Sequence, residues 1–233
     1  AHSNLGNILR DQQKLRQAEK STRKAIQLDP ELPTAHSNLG GILIELGNFK
    51  EAEIFTRNAI KLDPNLVRSY SNLVLILKNN GHLEEAEKYA RKAIKLKPNL
   101  AEAYCNLGGI LNDLGKFEEA NKYTSKAIKL DPALAIAYSN LGNILRNLGS
   151  LHDAELSARK AIELDPNCTE AFANLGAILS ENGNLKDGEV YTRKAIALDP
   201  NSSTAHSNLG NILRDLGDLK EAELSILKAI DLN

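Results

Sequence analysis

A six-residue motif recurs every 34 residues along the chain, and this period restricts the possible folds more than any other feature. AHSNLG stands at residues 1–6, 35–40 and 205–210, and variants of it begin at residues 69, 103, 137 and 171. Six prolines keep the same period, namely Pro30, Pro64, Pro98, Pro132, Pro166 and Pro200. No insertion interrupts it. An unbroken period of this length predicts a stack of similar units, each burying its apolar surface against its neighbours.

The composition excludes several classes of protein. The 233 residues carry a net charge of −1, and a balance this close to neutral argues against nucleic acid as a partner. No apolar run approaches the roughly 18 residues of a membrane span. Six Tyr, four Phe and no Trp leave the core to Leu, Ile and Ala, which favours helices packed on helices. Two cysteines are too few for a disulfide framework.

Each repeat is predicted to form two helices. In the second repeat the first helix has an inward face at helical spacing, formed by His36, Leu39, Gly40 and Leu43. Gly47 suits the left-handed position that ends this helix. The second helix has Phe49, Ala52, Ala59, Ile60 and Leu62 inward, and Pro64 cannot continue it. The prediction is an all-α protein in which Gly40 and Ala52 let two helices approach closely.

The same period predicts a single array with no domain inserted between its repeats. Its seven repeats are 1–34, 35–68, 69–102, 103–136, 137–170, 171–204 and 205–233, the first and last of them truncated. Neither an initiating Met nor a signal peptide precedes the first repeat, so we expect a piece of a larger protein in the cytoplasm. The second helices also carry Glu→Arg pairs four residues apart, which are typical of a solvated helix face.

This pattern resembles the tetratricopeptide repeat. The fourth repeat carries the matching positions, which are Tyr104, Leu107, Gly108, Leu111, Ala120, Ala127 and Pro132. Val74 replaces the glycine of the first helix in the third repeat. The resemblance implies an α-solenoid of seven helix-turn-helix repeats wound into a right-handed superhelix. It also implies that the first helices line a concave groove.

One polar residue recurs on the first helices without a packing reason. Every repeat has an asparagine in the same place: Asn4, Asn38, Asn72, Asn106, Asn140, Asn174 and Asn208. At 100° per residue, Asn38 points about 150° away from the centre of its helix's core face. Asparagine is also a mediocre former of helix interiors. Three explanations remain open: binding of a ligand, simple copying by duplication, or a bond from each carboxamide to the adjacent repeat.

The chemistry of these asparagines suits a peptide. A carboxamide carries a donor and an acceptor side by side, as a peptide group does, so it can hold an extended backbone without reading side chains. The feature resembles the asparagine ladder of O-linked N-acetylglucosamine transferases, which implies a substrate-recruiting arm whose catalytic domain is absent. The chaperone-binding branch of the family fits less well. Its carboxylate clamp needs Lys or Arg around the asparagine, and only Arg68 is basic at those positions.

Charges near the ends of the first helices are mixed. Arg10, Lys78, Arg146 and Arg214 are basic, whereas Asp11, Glu45, Asp113, Glu181 and Asp215 are acidic. The mixture argues against a uniform funnel for carboxylates or phosphates. Single contacts from the four basic residues to a bound peptide are still expected.

These patterns favour a non-enzymatic module that binds protein or peptide segments in an asparagine-lined groove. No catalytic constellation or metal-ligand spacing is found, so we expect no enzyme activity, metal or cofactor. The alternative is a structural or oligomerisation scaffold. Repeat arrays normally end in polar capping elements, which neither end of this sequence has, so end-to-end self-association is also expected.

Overall fold

The computed structural model describes residues 1–232, and within them it has fourteen helices and no strand. The helices alternate between a first and a second helix of each repeat. The first helices are α1 (His2–Asp11), α3 (Pro33–Glu45), α5 (Val67–Asn79), α7 (Ala101–Asp113), α9 (Ala135–Asn147), α11 (Thr169–Glu181) and α13 (Ser203–Leu216). The second helices are α2 (Leu15–Leu28), α4 (Phe49–Leu62), α6 (Leu83–Leu96), α8 (Phe117–Leu130), α10 (Leu151–Leu164), α12 (Leu185–Leu198) and α14 (Leu219–Asp231). The predicted all-α fold of paired helices is confirmed.

The chain forms two compact units. The first unit is Ala1–Leu114, with α1 to α7, and the second runs from Gly115 onward, with α8 to α14. In the first unit α1, α3, α5 and α7 pack side by side in chain order, and α9, α11 and α13 do the same in the second. An interior first helix therefore contacts its hairpin partner, the second helix of the preceding repeat and the neighbouring first helices.

The hairpin turns depend on one left-handed residue. Gly47 has φ +74°, and five further glycines at 34-residue intervals also have positive φ, as the sequence predicted for Gly47. A Cβ at Gly47 would meet nothing within 4 Å, so the glycine is needed for its backbone angle and not for space. The first repeat differs, because Gln13 takes this place with φ 60°.

The two helices of a hairpin approach closely at the predicted small residues. A Cβ built on Gly40 would lie 2.3 Å from Oγ1 of Thr56, and Ala52 is fully buried. In the third repeat, where Val74 replaces the glycine, Ala90 replaces the threonine, and both are almost completely buried. The larger residue on one helix is thus balanced by a smaller one on the other, which keeps the core volume.

The second helices form the predicted Glu→Arg pairs and extend them between repeats. Arg23 contacts Glu19 on its own helix at 2.9 Å and Glu51 of the next repeat at 2.8 Å. Burial lowers the pKa of Arg23, but its hydrogen bonds to the two carboxylates outweigh that effect and raise it. Arg57 and Arg193 make the same kind of bridge, to Glu85 and Glu221. These charges hold neighbouring repeats together.

Candidate functional site

The asparagines of the first helices reach back to the preceding repeat. Nδ2 of Asn72 donates to the backbone oxygen of Ser37 at 2.9 Å, and Nδ2 of Asn208 donates to that of Ala173 at 3.1 Å. Nδ2 of Asn174 donates to both oxygens of Ser139, at 3.2 Å and 3.1 Å. Of the explanations left open by the sequence, a bond to the adjacent repeat is therefore realised in these repeats.

The exposure expected for these asparagines holds only at the first repeat, where Asn4 is exposed. Asn38 is 5% exposed, and the five later ones are half-buried. The angle of about 150° describes one isolated helix. In the array each first helix lies beside another first helix, so a side chain that points away from the hairpin core still meets a neighbour.

The side-chain oxygens of three asparagines make no hydrogen bond, unlike their side-chain nitrogens. Oδ1 of Asn72, Asn174 and Asn208 accepts no hydrogen bond from the described residues, and none of the three is a buried atom. Because Nδ2 is held by the preceding repeat, each of these carboxamides is fixed with an acceptor open to solvent. Among the described residues Asn106 has no side-chain hydrogen bond, so it keeps both groups available.

Both polar atoms of the Asn38 side chain make hydrogen bonds. Its Nδ2 donates to Oγ of Ser3 at 3.1 Å, and its Oδ1 accepts from Nη1 of Arg68 at 3.1 Å. Arg68 therefore satisfies an asparagine of its own array, a role that the sequence analysis missed. A signal was available, because Arg68 is the only basic residue at its position in the repeats.

A polar depression of about 260 Å³ opens beside Asn38 in the first unit. Asn4, Asn7, Ser37 and Arg68 are among the residues that line it. Oδ1 of Asn7 and Oγ of Ser37 are buried without a hydrogen-bond partner. Because these two atoms have no contact with solvent, a ligand in the depression meets other polar groups, such as the exposed side chain of Asn4.

The basic residues at the ends of the first helices are paired with acidic ones. Nε of Arg10 contacts Glu45 at 2.6 Å, Nζ of Lys78 contacts Asp113 at 3.0 Å, and Nε of Arg146 contacts Glu181 at 3.6 Å. Each partner lies 35 residues later, on the next first helix. Arg214 instead contacts Asp215 of its own helix at 2.8 Å.

The paired charges and the asparagines share one surface in each unit. In the first unit, a Cβ on Gly41 would lie 3.3 Å from Nη1 of Arg10 and 3.5 Å from Nδ2 of Asn72. In the second unit, Arg146, Asn208 and Arg214 line a depression of about 350 Å³. The structure thus brings together Arg10 and Asn72 in the first unit, and Arg146, Asn208 and Arg214 in the second.

Family descriptions match the chain along nearly its whole length. The description "TPR repeat" matches residues 6–47, and "Tetratricopeptide repeat" matches 33–66, 67–100, 101–134, 135–168, 169–202 and 191–223. The chain belongs to the tetratricopeptide repeat family. Members of this family typically act as non-catalytic scaffolds that bind proteins or peptides. No curated protein matches this tetratricopeptide chain significantly.

Solved structures share the tetratricopeptide fold at low sequence identity. The Cut9–Hcn1 hetero-tetramer of the APC/C matches 94% of this chain with 15% identity and a TM-score of 0.82, and the chain spans 45% of that protein. A tetratricopeptide repeat protein from Parabacteroides merdae matches 100% of the chain and 92% of its own length, with 17% identity and a TM-score of 0.76. YrrB, described as a TPR protein with an unusual peptide-binding site, matches 79% of the chain and 95% of its own length, with 24% identity and a TM-score of 0.54.

Two further features of the structure concern membrane spans and metal ligands. Among residues 1–232, no helix is long and apolar enough to cross a membrane. In the same part of the tetratricopeptide array, no three His, Cys, Asp or Glu side chains are grouped as metal ligands would be. Sequence reasoning missed one set of partners, namely the residues that lie 35 positions before the asparagines. Asn38, Asn72 and Asn174 bond there to Ser3, Ser37 and Ser139, whose recurrence in the sequence was visible.

Proposed function

We propose that the asparagine-bearing face of the first helices binds extended segments of peptide or protein. The observation that carries this proposal is the arrangement of Asn72, Asn174 and Asn208, each fixed through Nδ2 with Oδ1 open to solvent. An acceptor held in one orientation binds a peptide N–H without first losing side-chain freedom, which lowers the entropic cost of binding. These three asparagines would therefore bind the ligand through Oδ1, because Nδ2 already donates to the preceding repeat.

The spacing of the repeats fits an extended ligand. Packed helices lie about 8–10 Å apart, and an extended chain advances about 3.3 Å per residue. One asparagine therefore meets about every third ligand residue. The depression beside Asn38 adds the exposed carboxamide of Asn4, which makes no side-chain hydrogen bond within the described residues. Four basic residues contact the ligand at its edge, namely Arg10, Lys78, Arg146 and Arg214. Each gives up its ion pair with an acidic residue and binds an oxygen of the ligand instead.

The proposal makes this chain a non-enzymatic recognition module. YrrB, which shares the fold, is described as having a peptide-binding site. The likeness of the asparagine series to that of O-linked N-acetylglucosamine transferases extends the proposal to a substrate-recruiting arm of a larger enzyme. Cys105 and Cys168 are buried and form no disulfide, which suits a reducing compartment such as the cytoplasm.

The test is a selection followed by a titration. A random peptide library displayed on phage is selected on the chain, and an enriched peptide is titrated against the chain and against a variant with Asn72, Asn106, Asn140 and Asn174 all changed to Ala. Each lost hydrogen bond is worth about 0.5–1.5 kcal/mol, so affinity should fall on the order of tenfold or more. Asn58→Ala is the matched control, because Asn58 is exposed on a second helix.

The titration is made at a temperature where both variants are fully folded by circular dichroism. The quadruple variant should also melt earlier, since Asn72 and Asn174 bond to the preceding repeat. An unchanged affinity in the folded variant would show that the asparagines only join repeats. Failure to enrich any peptide would remove the proposal altogether.

A second candidate function is a self-associating scaffold, and the exposed faces of the terminal repeats favour it. Leu5 is 45% exposed and Ile8 is 54% exposed, whereas the corresponding Leu39 and Ile42 of the second repeat are 0% exposed. Apolar surface of this kind is normally covered in repeat arrays. The test is the molar mass in solution as a function of protein concentration. A constant monomer mass would remove this candidate.

A further inference from the structure

An aromatic side chain fills the space between two neighbouring second helices in the second repeat. The ring centroid of Phe55 on α4 lies 5.8 Å from that of His36 and 5.6 Å from Cζ of Arg23 on α2. Ile26 of α2 packs against the same apolar cluster as Phe55, and Leu39 belongs to that cluster. The site for this ring is therefore formed by the preceding second helix together with the first helix of the same repeat.

The seventh repeat keeps this site but lacks the ring. Its first helix contains the same hexapeptide, AHSNLG, as that of the second repeat. Five repeats further along the chain, the four neighbours of the ring are identical in type, namely Arg193, Ile196, His206 and Leu209. All four line a cavity of about 440 Å³ formed by α12, α13 and α14. Ser225 takes the position of Phe55 and also lines the cavity, which is thus the space of a missing aromatic side chain.

Ser225 has no polar partner of its own. It is 7% exposed, and its hydroxyl makes no hydrogen bond within residues 1–232. The fifth repeat also has a serine here, but the hydroxyl of Ser157 donates to the backbone oxygen of Asp153 at 2.8 Å. In addition, Ser125 replaces the arginine of that site. The seventh repeat therefore combines an absent ring with the full set of residues that surround a ring elsewhere in the chain.

We propose that this cavity binds a tyrosine side chain presented by a segment of a partner protein. A cavity of about 150 Å³ with apolar walls is enough to bind benzene, so a space of about 440 Å³ has room for a phenol ring. Ile196 and Leu209 supply the apolar contacts, and the guanidinium of Arg193 faces the ring as Arg23 faces Phe55. The cavity lies along the second helices, so this inference is independent of the asparagine-bearing face.

The arginine favours tyrosine over phenylalanine. In the sixth repeat, where the ring is that of Tyr191, Nη1 of Arg159 donates to the tyrosine hydroxyl at 3.2 Å. Nε of Arg193 donates to Glu189 and its Nη2 donates to Glu221, both at 2.7 Å. Nη1 of Arg193 donates to no residue within the described part of the chain. A ligand hydroxyl in the cavity therefore meets a charged donor that is still available.

The mouth of the cavity suits a protein segment. Leu224 and Lys228 border it, and both side chains are exposed. Their counterparts in the sixth repeat, Val190 and Lys194, are exposed as well, although a complete repeat follows them. The opening is therefore a property of this face of the second helices. Leu224 offers an apolar contact to the residues on either side of the inserted tyrosine.

The test uses N-acetyl-tyrosinamide as a probe, titrated against the 233-residue chain while the isoleucine and leucine methyl signals are followed by NMR. The shifts should be confined to Ile196, Leu209 and Leu224. N-acetyl-phenylalaninamide should bind about two- to tenfold more weakly, because it cannot accept a hydrogen bond from Arg193. A blocked alanine pentapeptide with tyrosine at its centre should bind at least as tightly as the tyrosine probe.

One substitution closes the cavity from within. Ser225→Phe should abolish the shifts and raise the melting temperature, because it restores the ring that the second repeat has at this position. Glu223→Phe is the matched control, since Glu223 is exposed on α14 and does not line the cavity. It adds the same ring to the same helix and should leave the titration unchanged.

Several results would overturn the proposal. Absence of shifts at Ile196 and Leu209 with millimolar probe, or a lower melting temperature for Ser225→Phe, would show that the cavity does not fit a ring. Equal affinity for the phenylalanine probe would remove the selection of tyrosine. Tighter binding of free tyrosine than of the pentapeptide would indicate a small-molecule site. Association of the chain with itself that Ser225→Phe abolishes would make a second copy the occupant.

Discussion

The hexapeptide AHSNLG occurs at residues 1–6 and again at residues 35–40, and the two copies have different surroundings. In the first copy Leu5 is 45% exposed, and Asn4 has no side-chain hydrogen bond within the described chain. In the second copy Leu39 is 0% exposed, and Asn38 is bonded at both ends of its carboxamide. The preceding repeat accounts for the difference, since within residues 1–232 only the second copy has one.

Local sequence therefore determines that the helix forms, whereas the neighbouring repeat determines how much each side chain contributes to the free energy of unfolding. His36 also follows this rule, because its Nε2 lies 2.8 Å from the backbone oxygen of Pro30 in the preceding repeat. In a linear array, stability is approximately a sum of repeat terms and nearest-neighbour terms. Identical substitutions in the two copies therefore separate these terms.

The largest difference is expected for the leucines. Leu39→Ala should lower the free energy of unfolding by about 2–5 kcal/mol, because it empties a fully buried site between repeats. Leu5→Ala should cost about 1 kcal/mol or less, since much of its side chain already faces water. Urea denaturation of the two variants measures both values. Equal losses would show that the preceding repeat adds little to the burial term.

The asparagines should show the next largest difference. Asn38→Ala removes two hydrogen bonds and leaves Arg68 and Ser3 without their partner, which should cost about 1–3 kcal/mol. Asn4→Ala should be neutral or stabilising by a few tenths of a kcal/mol, because alanine is the better helix former. Thermal melts of both variants compare them. A loss at Asn4 as large as that at Asn38 would contradict the structural assignment.

The hairpin turns give a smaller contrast, in which the first repeat can be improved. Gln13→Gly should stabilise the array by about 1–2 kcal/mol, because a left-handed backbone strains any residue with a Cβ. Gly47→Gln should destabilise it by a similar amount, although the site has room for a side chain. Denaturation midpoints should move in opposite directions for the two variants. Movement in the same direction would exclude backbone strain as the cause.

The smallest effect is expected at Tyr70 of the third repeat, which takes the position that His36 has in the second repeat. Its hydroxyl donates to the backbone oxygen of Pro64 at 2.9 Å, so Tyr70→Phe should cost about 0.5–1.5 kcal/mol. Burial, with the nearby Tyr89 and Asp63, raises the pKa of Tyr70 above the ordinary value of 10.0. The contribution of the neutral hydroxyl is therefore complete below pH 10 and is lost as pH rises through the raised pKa.

The pH dependence provides its own control. The difference in unfolding free energy between the protein and Tyr70→Phe should be constant below pH 10 and should narrow above it. Urea denaturation at a series of alkaline pH values measures this difference. A gap that stays constant through the alkaline range would mean that the hydroxyl has the same pKa in the folded and unfolded states.

Much of the fold follows from the sequence, because the features involved lie within one repeat. The helix pairs, the left-handed Gly47 and the Glu19–Arg23 type of pair depend on spacings of a few residues, and all are confirmed. The site was harder to predict, since it depends on contacts 30 or 35 residues apart in the chain. The engagement of Asn38 by Arg68 is such a contact, and no property of a single helix indicates it.

The ion pairs at the ends of the first helices bear on how such an array changes length over generations. They join the first repeat to the second through Arg10 and Glu45, and the third to the fourth through Lys78 and Asp113. A third pair, Arg146 with Glu181, joins the fifth repeat to the sixth. Loss of any one of the first six repeats would strand a charge, whereas loss of two neighbouring repeats among these six would leave each remaining charge beside an opposite one. Steps of two repeats therefore keep opposite charges together at this face, as the 68-residue spacing of Arg10, Lys78 and Arg146 shows. We expect relatives of this chain to differ in length more often by 68 residues than by 34.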